Sequence, residues 1–272
     1  MTEFLYIFGF IVLGIALRSF GSVIAMKAGM LAFLVASFLV GYFISGGVIL
    51  GGVIAVALWF LLPWLEILTR VRRMRLPTTK VMRGKFPPNR SAFPQIYEVS
   101  EEIEAAGFTH TDDVGWDGED NRQFFRIFYR ESDQTVAKVC LNEQLGNAFF
   151  YVAVSTLTHE GTIWRTWNYP FSYTMKLPPM IRVHRSANAR SFEELMDIHR
   201  AYLDTNWVGE TSIAKQQPED LPRALEEEIK QTVEHNMHRG IIEPAGEGLF
   251  RYSARGMFFL WTQLVKDMVK LG

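Results

Sequence analysis

Five carboxylates crowd one short stretch, Asp112, Asp113, Asp117, Glu119 and Asp120, where oxygen ligands could hold a divalent cation. The spacing does not suit a helix–loop–helix calcium loop, which wants acids at alternate positions, then a glycine and a distal glutamate. Residues 110–121 therefore read as a solvated loop. His235 and His238 stand three apart, as two ligands to one metal would on a helix. With Arg239, however, they fill the last turn before Gly240, where positive charge suits the helix dipole. Carboxylate-bridged iron sites need Glu-x-x-His on two helices, and no second copy occurs. His199 falls on the apolar stripe of its own helix, a position for a base or a ligand. No second His, Cys or carboxylate matches it in spacing, so it reads as a core histidine. His159 sits in a turn. Cys140, the lone cysteine, lies within an apolar run, where a thiol is inert rather than nucleophilic. There is no CxxC, no Gly-x-Ser-x-Gly elbow, no P-loop and no Gly-x-Gly-x-x-Gly. No residue is assigned as catalytic, cofactor-binding or metal-ligating, and no cofactor is implied.

The elements that must position these groups fall in the second part of the chain. A helix is expected over 94–106, ending at Gly107. Runs of strand character follow at 122–129, 135–142, 148–158 and 163–167, with a fifth at 181–184. Short turns at 131–133, Gly146-Asn147 and 159–161 imply an antiparallel meander. Alternation is imperfect, since Phe124 and Phe128 oppose Phe125, Ile127 and Tyr129, so both faces of this sheet should be covered. A helix over 192–203 opens with a capping box, Ser191 and Glu194. A longer helix over 222–239 carries Leu221, Leu225, Ile229, Val233 and Met237 at four-residue spacing. Residues 240–256 then resemble, generically, the closing wing of winged-helix domains. A nucleic-acid reader should be basic on the preceding helix, whereas Glu226, Glu227, Glu228 and Glu234 dominate it, so nucleic acid is not an expected partner.

Charge separates this body from what precedes it. Of 272 residues, 21% are charged, yet residues 1–68 hold only Glu3, Arg18, Lys27 and Glu66. Apolar runs at about 4–20, 28–44 and 48–65 read as three transmembrane helices, since about 20 residues cross a hydrocarbon core. The first run is short and spans only with its ends in the headgroups. A basic cluster with no acid follows, Arg70, Arg72, Arg73, Arg75, Lys80, Arg83 and Lys85. Such clusters stay cytoplasmic, which sets the N-terminus outside and the body inside. The same seven residues are the candidate contacts for anionic headgroups, while residues 86–272, with 27 acidic against 19 basic residues, are repelled. Small residues at four-residue spacing, Ala28, Ala32 and Ala36, then Gly47, Gly51 and Ala55, are candidate helix-packing stripes, within the hairpin or toward another subunit. No ionisable residue interrupts the second and third runs, so a self-contained transporter is not expected.

The expected fold is thus a membrane-anchored α+β protein: transmembrane region 1–68, basic and proline-containing linker 69–92, and a cytoplasmic domain 93–272 with a four- or five-stranded antiparallel sheet flanked by helices. Its last helix, over 256–271, is apolar around more than half its circumference. Phe258, Phe259 and Trp261 are candidate docking residues, with Lys266 and Lys270 on a narrow polar strip. The function expected is non-catalytic: presentation of a cytoplasmic domain for protein interaction, self-association or membrane-complex assembly, in the inner membrane. The alternatives are a ligand sensor with a pocket near Trp164, Trp167 and Phe171, and a hydrolase using His199 or His159.

Overall fold

A computed structural model describes residues 2–20, 22–118, 121–144 and 147–271. The protein is a mixed α+β chain with apolar helices near its N-terminus and a sheet-rich C-terminal region. It divides into two units, Met1–Leu76 with Phe171–Thr174 and Met237–Gly272, and Pro77–Pro170 with Met175–Asn236.

In the first unit the apolar runs form α1 (Thr2–Ser19), α2 (Val23–Ile44) and α3 (Ile49–Thr69). Among the described residues, two segments are long and apolar enough to cross a membrane, Ile24–Ile44 and Ile49–Arg73. Ser22 caps α2 by accepting from the Ala25 N–H at 3.1 Å. The α2–α3 turn needs two left-handed residues in succession, Gly46 at φ 73° and Gly47 at φ 88°, which only glycine adopts without strain. A 3-10 turn over Val71–Arg73 follows α3. The unit also holds the antiparallel strands β9 (Ile242–Pro244) and β10 (Leu249–Tyr252) of a small sheet ordered β1-β10-β9, β1 being Leu76–Pro77. Last comes the C-terminal helix α7 (Ala254–Leu271). Ser253 starts α7 by accepting from the Gly256 N–H at 3.0 Å.

The second unit is built on a seven-stranded sheet ordered β2-β3-β4-β5-β6-β7-β8. Its strands are β2 (Arg83–Gly84), β3 (Thr109–Asp117), β4 (Asn121–Arg130), β5 (Thr135–Gln144), β6 (Asn147–Leu157), β7 (Ile163–Trp167) and β8 (Ile181–Arg185). Three features depart from the sequence expectation. There are seven strands rather than four or five. Residues 109–117, expected as part of a loop, are the strand β3. The last pair, β7 and β8, is parallel, because residues 168–180 are long enough for the crossover that parallel strands require. The turn at Gly146 and the acids Glu119 and Asp120 lie outside the described residues.

Both faces of the sheet are covered. Helices α4 (Pro94–Ala105) and α5 (Phe192–Thr205) close one face over Phe124, Phe128, Val139, Val152 and Val154. Helix α6 (Leu221–His238) closes the other through Leu221 and Leu225 on Phe125, Ile127, Val136 and Cys140. That is why neighbouring strand residues are apolar on both sides. Ser191 caps α5 by accepting from Glu194 N at 3.2 Å, while the Glu194 carboxylate accepts from Arg190 N.

Candidate functional site

Along α1, α2 and α3 many large apolar residues face outward while small ones meet at the helix contacts, although Met30 and Ile67 are buried as well. Ala32, Ala36 and Gly52 are buried, whereas Ile24 and Ile44 are each 82% exposed and Leu61 is 55% exposed. The α2–α3 contact runs through Gly41, where a Cβ would collide with the carbonyl oxygen of Gly51 and lie 2.6 Å from Ala55. A Cβ on Gly52 would stand 2.5 Å from the Phe38 ring. Gly51 and Ala55 of the expected stripe therefore pack within the hairpin. Ala28 is half-buried and Gly47 belongs to the turn. The sequence reading missed Gly41 and Gly52, and also Gly14 and Gly29, at which α1 meets α2: a Cβ on Gly29 would come within 2.9 Å of Gly14 O. The Trp59 indole donates to Ser37 Oγ across the hairpin at 2.9 Å.

Trp261 packs on α3 of the same chain. Its indole stacks on Trp64, ring centroids 6.0 Å apart, and donates to the Phe60 carbonyl at 2.8 Å. Pro63 lies inside α3 and lacks an N–H, so the neighbouring Trp59 carbonyl loses its intrahelical donor. At the far end of α7, Asp267 accepts from Ser172 N at 2.7 Å and from Ser172 Oγ at 2.5 Å. Phe259 is half-buried, but Phe258 remains 56% exposed. The side chain of Lys270 lies outside the described residues.

The seven basic residues do not share one environment. Arg70 pairs with Glu66 at 2.9 Å, and Arg75 Nη1 lies 3.0–3.2 Å from the carbonyls of Arg72, Arg73 and Met74. Arg70, Arg72, Arg73 and Arg75 thus ring the end of α3. Lys80, Arg83 and Lys85 belong to the second unit. Lys80 sits 4.7 Å above the Trp116 ring and donates to Gln123 Oε1, and burial pulls its ammonium down to about 8. Arg83 lies on the edge strand β2, and Lys85 pairs with Asp117 at 2.6 Å.

Beneath α6 the second unit holds a charge cluster that the sequence reading did not assign. Arg165, on β7 and 5% exposed, grips Glu228 of α6 with both guanidinium arms, 2.6 and 2.7 Å. Its Nε donates to Ser155 Oγ at 3.0 Å. Lys138, on β5 and 9% exposed, stands 3.8 Å from the same carboxylate. Burial alone would raise the Glu228 pKa, yet Arg165 and Lys138 hold it down at about 2. Burial opposes the Arg165 charge too, but Glu228 outweighs it and the guanidinium lies above its ordinary value. Lys138 is lowered, burial outweighing the help of Glu228. Cys140, two residues on, has its thiol pushed up to about 11 by burial, which keeps it protonated and unreactive.

The remaining candidates are explained locally. His199 lies between two hydroxyls, Nε2 at 3.0 Å from Thr156 Oγ1 and Nδ1 at 3.0 Å from Thr166 Oγ1. His159 is exposed in its turn. Asp113 forms a two-armed pair with Arg126 directly across β3–β4, at 2.9 and 2.8 Å, and Asp117 holds Lys85, so these acids serve as ion-pair partners. Between His235 and His238, the fully buried Asn236 accepts from Lys176 N and donates to Lys176 O, pinning a loop to α6. No group of three His, Cys, Asp or Glu residues suited to a metal occurs among the described residues. Trp164 and Trp167 project from opposite faces of β7, and Trp164 packs on Tyr202 of α5. They do not line a common pocket. No family model, no curated protein and no solved structure matches the chain.

Proposed function

We propose that the chain is an integral membrane protein of the inner membrane that presents a cytoplasmic α+β body for protein interaction or for assembly of a membrane complex, with no chemistry of its own. The observation that carries this reading is the run of large apolar side chains turned outward along α1, α2 and α3. Helices that turn Ile24, Leu31, Ile44, Leu58 and Leu61 outward, and meet through Gly41, Gly51 and Gly52, would expose a costly apolar surface to water. In hydrocarbon the same arrangement is favourable, since lipid takes the large side chains and close backbone approach supplies the packing. Three spans, with the N-terminus outside, would put Arg18 and Lys27 on the cytoplasmic side together with Arg70, Arg72, Arg73 and Arg75. Each basic residue near an anionic surface contributes roughly 1 kcal/mol. Trp64 and Trp261, stacked near the end of α3, suit the interfacial aromatic belt. The exposed Phe258 of α7 is then the first residue to examine for contact with lipid or a partner.

Extraction and topology mapping test the reading. Expressed in a bacterial cell, the full chain should stay with membranes through alkaline carbonate washing. A tag at the N-terminus should react with impermeant reagents from outside, and one at the C-terminus only after lysis. Release by carbonate would overturn the integral reading. Shielding of both tags would overturn the three-span topology while leaving α2 and α3 as a hairpin.

A further inference from the structure

The cluster beneath α6 does not balance its charge. Two cations, Lys138 and Arg165, face one carboxylate, Glu228, and Arg165 occupies both oxygens of that carboxylate at 2.6 and 2.7 Å. Lys138 is left at 3.8 Å, beyond hydrogen-bond length. One carboxylate thus serves two cations, and the group carries one positive charge in excess. Beside it lies a cavity of about 70 Å³ lined by Lys138, Ser155, Arg165, Glu228 and Gln216, with apolar walls that include Val136, Leu157 and Ile163. Leu221, Ala224 and Leu225 on the flank of α6 border it, Ala224 at its exposed rim. Ser155 Oγ already accepts from Arg165 Nε, which leaves the serine hydroxyl proton to be donated.

We infer that this cavity is a binding site for one small monovalent anion of the halide class, held by the Lys138 ammonium and the Ser155 hydroxyl against the Arg165 guanidinium. A water molecule fits the space but leaves the extra positive charge in place. A phosphate or sulfate brings too much charge and volume for walls that are mostly apolar. A weakly hydrated monovalent ion matches the single surplus charge, the donors and the apolar lining together. The site is independent of the membrane reading, because every group in it belongs to the second unit.

The test is thermal unfolding of the full chain in detergent, in sodium chloride and in sodium gluconate at equal ionic strength. Chloride should raise the midpoint saturably, by about 3–6 °C at ten times its dissociation constant, and gluconate, too large to enter, should not. Lys138→Met removes the surplus charge and should abolish the chloride increment. Ser155→Ala removes the hydroxyl donor with every charge retained and should abolish it as well. Chloride-35 NMR line broadening should be present for the wild type and lost in both variants. Equal midpoints in the two salts, or an increment that survives in either variant, would overturn the assignment.

Discussion

His199 makes the stability of the α+β body depend on pH in a way that one substitution isolates. The ring is 1% exposed, between the hydroxyls of Thr156 and Thr166. Those hydroxyls satisfy a neutral ring fully and supply no opposite charge. Burial is the main cause that pulls its pKa from 6.5 to about 4; Asp133 opposes the shift, and Arg130 and Arg200 add to it. Because the folded pKa is the lower one, the unfolded chain takes up the proton first as the solution is acidified. The stability tied to the neutral ring is therefore complete above pH 6.5 and is lost between pH 6.5 and 4. Linkage puts the loss at about 1.4 kcal/mol at pH 5.5 and about 2.6 kcal/mol at pH 4.5, approaching about 3.4 kcal/mol below pH 4. His199→Gln keeps a donor and an acceptor but cannot titrate. It should cost about 1–3 kcal/mol at pH 7.5 through imperfect packing and hydrogen bonding. That gap to the wild type should then close by the amounts above as the pH falls. Urea unfolding of both proteins at pH 7.5, 5.5 and 4.5 measures it, the difference cancelling the carboxylates common to both. A gap that stays constant, or one that widens in acid, would refute the argument that burial keeps this ring neutral.

The other predictions concern contacts that a single atom decides. Glu228→Gln strands two buried cations and should cost about 3–5 kcal/mol; Arg165→Met should cost clearly less, because Lys138 can then take the carboxylate, and equal losses in chemical unfolding would contradict the shared-partner geometry. Gly41→Leu should force α2 from α3 and lower the unfolding midpoint in detergent by several degrees, whereas Gly9→Leu, which meets nothing within 4 Å, should leave it unchanged. Gly256→Ala should destabilise the first unit by more than the ~1 kcal/mol that helix propensity alone would return, since the added Cβ collides with the Ile241 carbonyl; a stabilised variant would mean that α7 starts differently.

The helices were legible because their signals are local. Ser191 with Glu194, Pro94 after a loop, and glycine at 107 and 240 mark ends within a few residues of the chain they terminate, and α4 and α5 begin where those signals stand. β3 was not legible for the opposite reason. Its sequence, Thr109–Asp117, carries three acids and a glycine, which reads as loop chemistry. What makes it a strand is β4: Asp113 pairs with Arg126 opposite, and Gly115 lies against the Gln123 carbonyl, where a Cβ would collide. Near a sheet edge, acids of this kind also discourage pairing with another chain. The parallel β7–β8 pair was hidden likewise, since nothing within Ile181–Arg185 records the direction of its neighbour.

The charge cluster beneath α6 divides along the same line. Lys138 in a run of apolar strand residues and Arg165 within Trp164-Arg165-Thr166-Trp167 are visible anomalies, and an ionisable side chain in a strand apolar on both faces is a signal that it is buried and paired. The partner is not visible. Glu228 is one of three successive glutamates, and sequence offers no reason to prefer it to Glu226 or Glu227. The choice follows from the phase of α6: Leu221 and Leu225 must face the sheet, and the helical repeat then aims position 228 at the same surface, one turn beyond Leu225. The sheet register supplies the rest, bringing Arg165 opposite Ser155, with Lys138 on the same face one strand further on. A site assembled from three strands and a helix is thus specified by two periodicities meeting at one place. Each was readable alone, and only the fold fixes the phase between them.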